Sequence, residues 1–471
     1  MTTNFLHGVE VIIDDSMVRP IRTVRSSVIG LIGVAPDADA EDFPLNKPVL
    51  VTSRREFAKI GASGTLPDAL DGIYDQAGAV VVVIRVEQDA EAPTTRDNIV
   101  GGTDPVSGDY LGMQAFRAAK NEIGFSPKIL IAPGFTSQRS SDGILMVPLT
   151  DGGTGYTAAP LVTVTDPTGK GCVARAMLGT TIGVDDDQVI AIVIDEPGEG
   201  YTSPSATIAA PDSGDAATVG TPTVGPVRNR IVSEMAQIAE ALRAVIIVDG
   251  PNTVDEDAIQ IADDFGSMRM YLHDPAYIVD GQVRPASPRI AGLINKVDND
   301  KGFWNSPSNH EINGIEGTAR MIDFALGDST SRANLLNELQ IATTIRHKGL
   351  KLWGNQTLSS DQNYLFLPVV RTADMVAESI MQSHLWAVDR CITATYILQV
   401  VEGVRNYLRS LQVRGAILGG DAWCDPDLNP ANDIKLGNLK ISYHFTPCYP
   451  AERVTFIAAL TDEYIVNLFV N

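Results

Sequence analysis

The chain has 471 residues, of which 44% are hydrophobic and 20% charged, and its formal net charge is −22. This length exceeds the ~250–300 residues that one hydrophobic core usually serves, which predicts two or three domains. The excess of acidic residues argues against nucleic acid as a partner, because phosphates require a basic surface. We expect folding in the cytoplasm without membrane insertion, because the longest apolar run, residues 79–84, is too short to span a bilayer and the N-terminus has no signal-peptide pattern.

The first predicted element is an extended N-terminal arm, residues 1–22. Residues 8–13 have the composition of a strand, and this strand stops at the acidic pair Asp14-Asp15. A short strand that a linker separates from its domain cannot bury its own face. Such a strand usually pairs with another one, either in the same chain or in a neighbour.

From residue 24 onward, apolar strands alternate with helices. Continuous apolar runs are typical of strands that are buried on both faces. An amphipathic helix predicted over 231–243 leads directly into one of these runs. The alternation predicts an α/β (α+β) core made of residues 23–136 and 228–345. The apolar runs lie at residues 79–84, 128–132 and 244–248.

Residues 137–227 interrupt this core with a composition of Gly, Thr, Pro, Asp and Val and almost no helix pattern. A Gly-Thr-Gly-Tyr turn at 153–156 returns 45 residues later as Gly-Glu-Gly-Tyr at 198–201, and an alternating strand follows each turn. A turn and strand repeated once predict a small inserted all-β domain. Three basic against eleven acidic residues give this segment a charge of −8, so we expect it on the outer surface.

A C-terminal domain is predicted over 346–460. One helix pattern covers residues 372–385, and a longer one begins after Thr393, a good N-cap, and ends at Gly415. The longer helix carries a basic face in a stretch without acidic residues, although a solvated helix surface explains that face as well. The residues of this face are Arg405, Arg409 and Gln412.

Two alternating strands, residues 439–445 and 454–460, are predicted to form a hairpin near the end of the chain. An apolar C-terminal arm, residues 461–471, follows them. Apolar segments that can form strands promote aggregation unless they have an assigned partner. Docking of these ends within their own subunit is the alternative.

No catalytic, cofactor or metal site is predicted. The glycine-rich run 152–157 lacks the lysine of a phosphate loop, and residues 61–65 lack the spacing of a nucleophile elbow. The run 185–187 lacks the alternating oxygen ligands of a calcium loop, and His310-Glu311 has no second histidine at the spacing of a zinc motif. The cysteines are far apart and form no CxxC pair.

Several segments resemble tail sheath subunits of contractile phages and R-type pyocins, in the branch found in temperate enterobacterial myophages. The matches occur in order over residues 1–136 and 228–471, whereas that branch has only a short connection in place of 137–227. The matching segments include HGVEV at 7–11, RPIRTV at 19–24, FPLNKP at 43–48, IAPGF at 131–135, IVDGPNT at 247–253, GFWNSPSN at 302–309, LWGN at 352–355, VRTAD at 370–374 and HLWAVDR at 384–390.

The resemblance implies a structural subunit and not an enzyme. Such subunits stack as hexameric rings around a tail tube and contract to a lower-energy helix, which drives the tube through the host envelope. The implied partners are other copies of the chain, the tail tube protein, and baseplate and tail terminator proteins. The implied location is the virion tail, and no cofactor is needed because the extended lattice stores the work.

The resemblance also implies roles for individual residues, since the arms of one subunit add strands to a sheet of its neighbours. The expected arm strands contain Val9, Val11, Ile13, Ile465, Leu468 and Phe469. The expected arm-receiving hairpin contains Leu439, Ile441, Tyr443, Val454 and Phe456. The basic helix face with Arg405, Arg409 and Gln412 is expected to contact the tube.

Three cysteines are candidates for disulfides between subunits after the particle leaves the reducing cytosol: Cys172, Cys424 and Cys448. Unpaired thiols are the alternative. Two further functions are considered for the chain as a whole. The first is the sheath of a phage-derived injection device such as a pyocin, and the second is an α/β hydrolase or nucleotide-binding protein.

Overall fold

A computed structural model describes residues 21–180 and 187–465 of the chain. The first part of the α/β core precedes residue 140 and includes short 3-10 helices at Glu56–Lys59 and Gly112–Arg117. Its strands are β1 (Ile29–Val34), β2 (Pro48–Val51), β3 (Val81–Val86), β4 (Gly102–Thr103), β5 (Tyr110–Leu111) and β6 (Ile129–Ile131), and its helices are α1 (Leu66–Tyr74), α2 (Ala92–Val100) and α3 (Ala119–Ile123).

The inserted segment contains strands and no helix among its described residues. Its strands are β7 (Ser140–Met146), β8 (Leu149–Asp151), β9 (Val162–Thr165), β10 (Lys170–Leu178), β11 (Val189–Glu199), β12 (Ser205–Ile208), β13 (Thr218–Val219) and β14 (Thr223–Val227). Because β14 pairs with β7, the segment returns to the core where it left it.

The second part of the core follows the insert. Its strands are β15 (Val245–Asp249), β16 (Met270–His273), β17 (Tyr277–Val279), β18 (Gln282–Arg284), β19 (Gly317–Thr318), β20 (Ile341–Arg346) and β21 (Leu350–Trp353), and its helices are α4 (Arg230–Leu242), α5 (Asp255–Asp263), α6 (Ser287–Lys301) and α7 (Arg332–Glu338).

The two parts of the core share one eight-stranded sheet in the order β2-β3-β1-β6-β15-β16-β20-β21. The strands from β3 to β20 in this order run parallel, and β2 and β21 are antiparallel edge strands. The α/β architecture and the buried strands predicted from the apolar runs are confirmed. The sheet continues to Trp353, beyond the predicted end of the core at residue 345.

Helices cover both faces of this sheet. Because side chains alternate across a strand, Val82 and Ile84 belong to an apolar cluster that includes residues of α2, α4, α5 and α7. Val81 and Val83 belong to the cluster on the other face, which includes residues of α1 and α6. All four side chains are fully buried. Burial on both faces explains why the strand sequences are continuous apolar runs without polar alternation.

The C-terminal part consists of two long helices and a small sheet, with 3-10 helices at Gln362–Tyr364 and Leu385–Ala387. Its elements are α8 (Leu367–Ser383), α9 (Ala394–Val413), α10 (Ala431–Lys435), β22 (Ile417–Trp423) and β23 (Ser442–Pro447). Val404, Tyr407, Leu408 and Leu411 of α9 are buried in a separate apolar cluster with Ile417 of β22.

The sequence signals at both ends of α9 are confirmed. The Thr393 side chain accepts a hydrogen bond from the backbone N–H of Tyr396 at 3.2 Å, and Gly415 has a left-handed backbone with φ of 76°. We expect Thr393→Ala to lower the free energy of unfolding by about 1 kcal/mol, because a helix N–H loses its acceptor. Urea unfolding followed by circular dichroism measures this change. Thr221→Ala, at an exposed loop position, is the control, and an equal loss there would contradict the capping role.

Candidate assembly surface

The small sheet of the C-terminal part has two unused edges. β22 pairs antiparallel with β23, with Ala422 opposite Tyr443 and a bulge between Ile417 and Gly419. Among the described residues, neither strand has a second partner strand. A strand in a ladder uses one edge for its partner, so each of these two strands leaves backbone N–H and C=O groups available on the other edge. The sheet therefore has room for one added strand on each side.

The predicted hairpin between 439–445 and 454–460 is wrong. The first strand exists with shifted bounds, but it pairs with β22, and residues 454–460 form no strand. Leu439 and Ile441 lie just before β23, and Tyr443 lies within it. β22 was not predicted from the sequence, because Gly419, Gly420 and Asp421 interrupt its apolar pattern. The better signal was the position of residues 417–423 directly after the glycine that ends α9.

The segment after β23 carries apolar side chains that the rest of the described chain does not cover. Phe456 is 91% exposed, Ile457 94% and Leu460 fully exposed. Val454 is 67% exposed, and the predicted arm residue Ile465 is 54% exposed. Contiguous apolar exposure of this kind marks an interaction site. Leu468 and Phe469 lie outside the described residues.

This segment follows the body of the subunit as far as Glu452. The Tyr449 ring makes an edge contact with Phe366, with ring centroids 6.4 Å apart. Gln356 Nε2 donates to both carboxylate oxygens of Glu452 at 2.8 and 2.9 Å. The exposed run at 453–465 therefore begins beside Gln356, near the end of β21.

Residues 23–26, just before β1, form a strap that is hydrogen-bonded to both long helices, α8 and α9. The Val24 N–H donates to Ser379 Oγ of α8 at 3.1 Å, and Arg414 Nη2 donates to Thr23 Oγ1 at 3.1 Å. The Tyr407 hydroxyl of α9 lies 3.3 Å from the same Thr23 oxygen. These hydrogen bonds fix the point at which the N-terminal residues meet the body. Val9, Val11 and Ile13 lie outside the described residues.

The three residues of the predicted basic face have different surroundings. Arg405 Nη1 donates to Glu402 at 2.8 Å and its Nε to Asp421 at 2.7 Å, and the hydrogen bonds to Glu402 and then Asp421 raise the pKa of Arg405. Gln412 Nε2 donates to the Leu418 carbonyl at 3.0 Å, which connects α9 to β22. Exposed Arg409 donates to the neutral Asn406 side chain at 3.3 Å. The charge of Arg405 is thus compensated within the subunit, whereas Arg409 forms no ion pair with another described residue.

The cysteines form no disulfide within the chain. Cys172 is half-buried in the insert, and burial raises the pKa of its thiol to about 11, which disfavours the reactive thiolate. Cys424 follows β22 and Cys448 follows β23, so they lie at opposite ends of the antiparallel pair. The Cys448 thiol donates to the Gly415 carbonyl at 3.2 Å.

In residues 21–180 and 187–465, no group of His, Cys, Asp and Glu side chains could hold a metal ion. No helix in the same ranges is long and apolar enough to cross a membrane. The features that stand out in the C-terminal part are therefore backbone edges and uncovered apolar side chains.

Comparison with known proteins gives a consistent family assignment. Family models match residues 26–86 (tail sheath protein Gp18 domain III N-terminal region), 200–358 (phage tail sheath protein central domain) and 359–461 (phage tail sheath C-terminal domain). A prophage major tail sheath protein of Pseudomonas aeruginosa (strain UCBPP-PA14) is 35% identical over 99% of both chains. The chain belongs to the phage tail sheath family.

Other relatives of this sheath subunit agree. The tail sheath protein of Escherichia phage P2 is 30% identical over 99% of this chain and 98% of its own. The tail sheath protein of Burkholderia phage BcepMu is 31% identical over 99% of both chains.

Solved structures share the fold. The sheath of an extracellular contractile injection system, PVC, in the contracted state has a TM-score of 0.58 at 13% identity, covering 98% of this chain and 99% of its own. The contracted helical sheath of the anti-feeding prophage has a TM-score of 0.58 at 14% identity, covering 98% and 100%.

The predicted family and the predicted class of function are confirmed. The chain is a structural subunit of a contractile tail sheath and not an enzyme. The alternative of a hydrolase or nucleotide-binding protein is excluded by this membership.

Proposed function

We propose that this sheath subunit polymerises by strand exchange into stacked hexameric rings around a tail tube. Contraction of this lattice drives the tube through the host envelope for genome delivery. One observation carries the strand-exchange proposal. The same subunit has a two-stranded sheet with open edges and an apolar segment that its own chain leaves uncovered.

The number of edges agrees with the number of arms. We propose the two ends of each chain as donors, and the open edges of β22 and β23 are the acceptors. If every subunit donates both arms and receives two, each small sheet becomes four-stranded, and the free edges of β22 and β23 are both paired. The exposed residues Phe456, Ile457 and Leu460 then become buried in a neighbouring copy.

Strand exchange also suits a lattice that changes shape. Ladder hydrogen bonds join backbone groups, so they hold subunits together without fixing the side-chain contacts between their bodies. The bodies can then exchange one set of side-chain contacts for another while the arms stay bound. The work comes from the higher energy of the extended lattice, so the subunit needs no cofactor.

Arg409 is the residue that we propose to face the tail tube, with Arg405 and Gln412 beside it. Exposed charge pairs contribute about 0–1 kcal/mol each and are screened by salt, so such contacts break easily during contraction. We further propose the insert at 137–227 as an outer surface decoration, and baseplate and tail terminator proteins as partners at the two ends of the sheath. Assembly in the host cytoplasm and location in the virion tail follow from this role.

Deletion of residues 1–14 tests the strand-exchange proposal. We expect a folded monomer that forms no tubes, because one donor strand per subunit is lost. Negative-stain microscopy of the recombinant protein compares it with the full chain, and thermal unfolding checks the fold of the monomer. Long tubes formed by the deletion variant would contradict the arm assignment.

A phage tail is favoured over an injection device. The relatives at 30% identity or more over nearly the whole chain are phage and prophage tail sheath proteins, whereas the injection-system sheaths are 13–14% identical. Capsid and portal genes beside the gene of this chain are the expected finding, and their absence would favour the injection device.

A further inference from the structure

The 45-residue repeat in the insert corresponds to a repeated structure. Gly153 and Gly198, the first glycines of the two turns, both have φ of 63°, and the second glycines have φ of 82° and 78°. These left-handed conformations favour glycine. The tyrosines that end the two turns, Tyr156 and Tyr201, are both buried, at 4% and 3% exposure.

Each tyrosine is hydrogen-bonded to the other copy of the repeat. The backbone N–H of Ala217 donates to the Tyr156 hydroxyl at 2.9 Å, and that of Cys172 donates to the Tyr201 hydroxyl at 3.0 Å. Cys172 and Ala217 are themselves 45 residues apart. Each copy therefore donates a backbone N–H to the tyrosine hydroxyl of the other copy. Such reciprocal contacts are those of a two-fold interface.

The strand pairing has the same symmetry. β12 pairs antiparallel with β9, and its register includes Thr207 opposite Thr163 and Ile208 opposite Val162. Thr163 of the first copy corresponds to Ile208 of the second, and Thr207 of the second corresponds to Val162 of the first. Exchange of the two copies therefore maps the pair Thr163–Thr207 onto the pair Ile208–Val162. The ladder thus lies on the axis that relates the two copies.

The insert has apolar cores of its own. One cluster contains Tyr156, Val162 and Val189, and the other contains Tyr201, Ile144 and Val147. Every described member of both clusters lies between residues 144 and 219. No side chain of the large sheet or its helices contributes to either of them.

The contacts that dock the insert on the core are charged. Arg96 of α2 donates to Glu199 of the insert at 3.0 Å, and Lys170 of the insert donates to Asp97 of α2 at 2.7 Å. Arg230 of α4 lies 3.8 Å from the Glu199 carboxylate. Charged contacts of this kind are typical of interfaces between separate domains. The chain enters and leaves the insert at neighbouring points, because Ser140 lies opposite Val227 in the β7–β14 ladder.

We infer that residues 140–227 form an autonomous folding module made of two interlocked copies of one 45-residue motif, and that the sheath assembles without it. The interlocked tyrosines, the separate cores and the charged docking contacts carry this inference. The expectation about assembly rests on the proposed polymerisation, whereas the expectation about folding does not.

Calorimetry of the full chain tests whether the module folds autonomously. We expect two unfolding transitions. Tyr201→Phe should lower one transition by about 4–8 °C, because it removes one hydrogen bond from a module of roughly 90 residues. Tyr156→Phe should lower the same transition at least as much, because the Tyr156 hydroxyl accepts from Ala217 and also donates to the Ala209 carbonyl at 3.1 Å. Tyr74→Phe is the matched control, since the Tyr74 hydroxyl donates to the Ala79 carbonyl within the core at 3.0 Å, and it should shift only the other transition. A single transition that moves with all three variants would overturn the inference.

A deletion of residues 141–226, with a two-residue Gly-Ser link between Ser140 and Val227, tests whether the sheath assembles without the module. We expect tubes like those of the full chain in negative stain, and loss of the transition that the two tyrosine variants lower. An insoluble deletion variant, or a folded one that forms no tubes, would overturn the inference. Failure of the full chain to form tubes would instead contradict the proposed polymerisation, while the calorimetry would still decide whether the module is autonomous.

Discussion

The double substitution Phe456→Asp and Ile457→Asp is expected to abolish tube formation and to leave the unfolding of the monomer unchanged. The two side chains are 91% and 94% exposed, so the isolated subunit has no packing to lose. In the assembled sheath, the same side chains are proposed to be buried in a neighbour, where two carboxylates without partners are strongly unfavourable. Negative-stain microscopy and thermal unfolding of the same preparations measure the two effects.

Val106→Asp is the matched control for this experiment. Val106 has the same 94% exposure as Ile457, but it lies in a loop of the core far from the C-terminal segment in sequence. We expect this variant to polymerise like the unmodified chain. Tubes formed at normal yield by the double variant would show that the exposed segment is not an inter-subunit strand.

The second large effect is expected at α8, whose buried face carries three charged residues. Arg371 donates to Asp298 of α6 at 2.7 Å, Asp374 accepts from Arg269, and Glu378 accepts from Lys128. The side chains of all three pairs are at most 9% exposed. Lys128 lies directly before β6 and Arg269 directly before β16, so α8 is joined to the amino edge of the parallel sheet.

Glu378→Ala is expected to lower the free energy of unfolding by about 3–5 kcal/mol, because it leaves the Lys128 ammonium buried without its carboxylate. Burial already lowers the pKa of Lys128, even with Glu378 beside it. Urea unfolding at pH 7 measures the loss. Asp71→Ala, which removes an exposed partner of Arg54, is the control and should cost no more than about 1 kcal/mol.

A double variant separates the buried charge from the helix itself. Lys128→Met combined with Glu378→Met should recover most of the stability lost in Glu378→Ala, because neither charge then remains buried. A Glu378→Ala variant within 1 kcal/mol of the unmodified chain would contradict the assigned pairing.

The parts of the fold that were predictable are those in which local sequence and burial agree. Strands such as β3 and β15 are buried on both faces, so their apolar runs identify them without knowledge of their neighbours. The ends of α9 were predictable because Thr393 and Gly415 act on backbone groups within a few residues. In both cases the signal and the structure lie in the same short segment.

The candidate site was less predictable because it depends on which segments meet. The alternation of residues 454–460 shows that they are able to form a strand, but it does not specify a partner. Asp421 is distant in sequence from Arg405, so the compensation of that charge was not visible before folding. Arg371, Asp374 and Glu378 have the spacing of a solvated helix face. Other elements bury them, so they form buried ion pairs instead.

The strap at residues 23–26 has a mechanical consequence. Thr23 and Val24 are hydrogen-bonded to α9 and α8, and Ser26 is hydrogen-bonded to Asp298 and Arg371. A tensile force applied to the first twenty residues therefore reaches α8 and α9 before it reaches β1. The central sheet is shielded from that pull, so an arm under load would peel from its own subunit only after these anchors had failed.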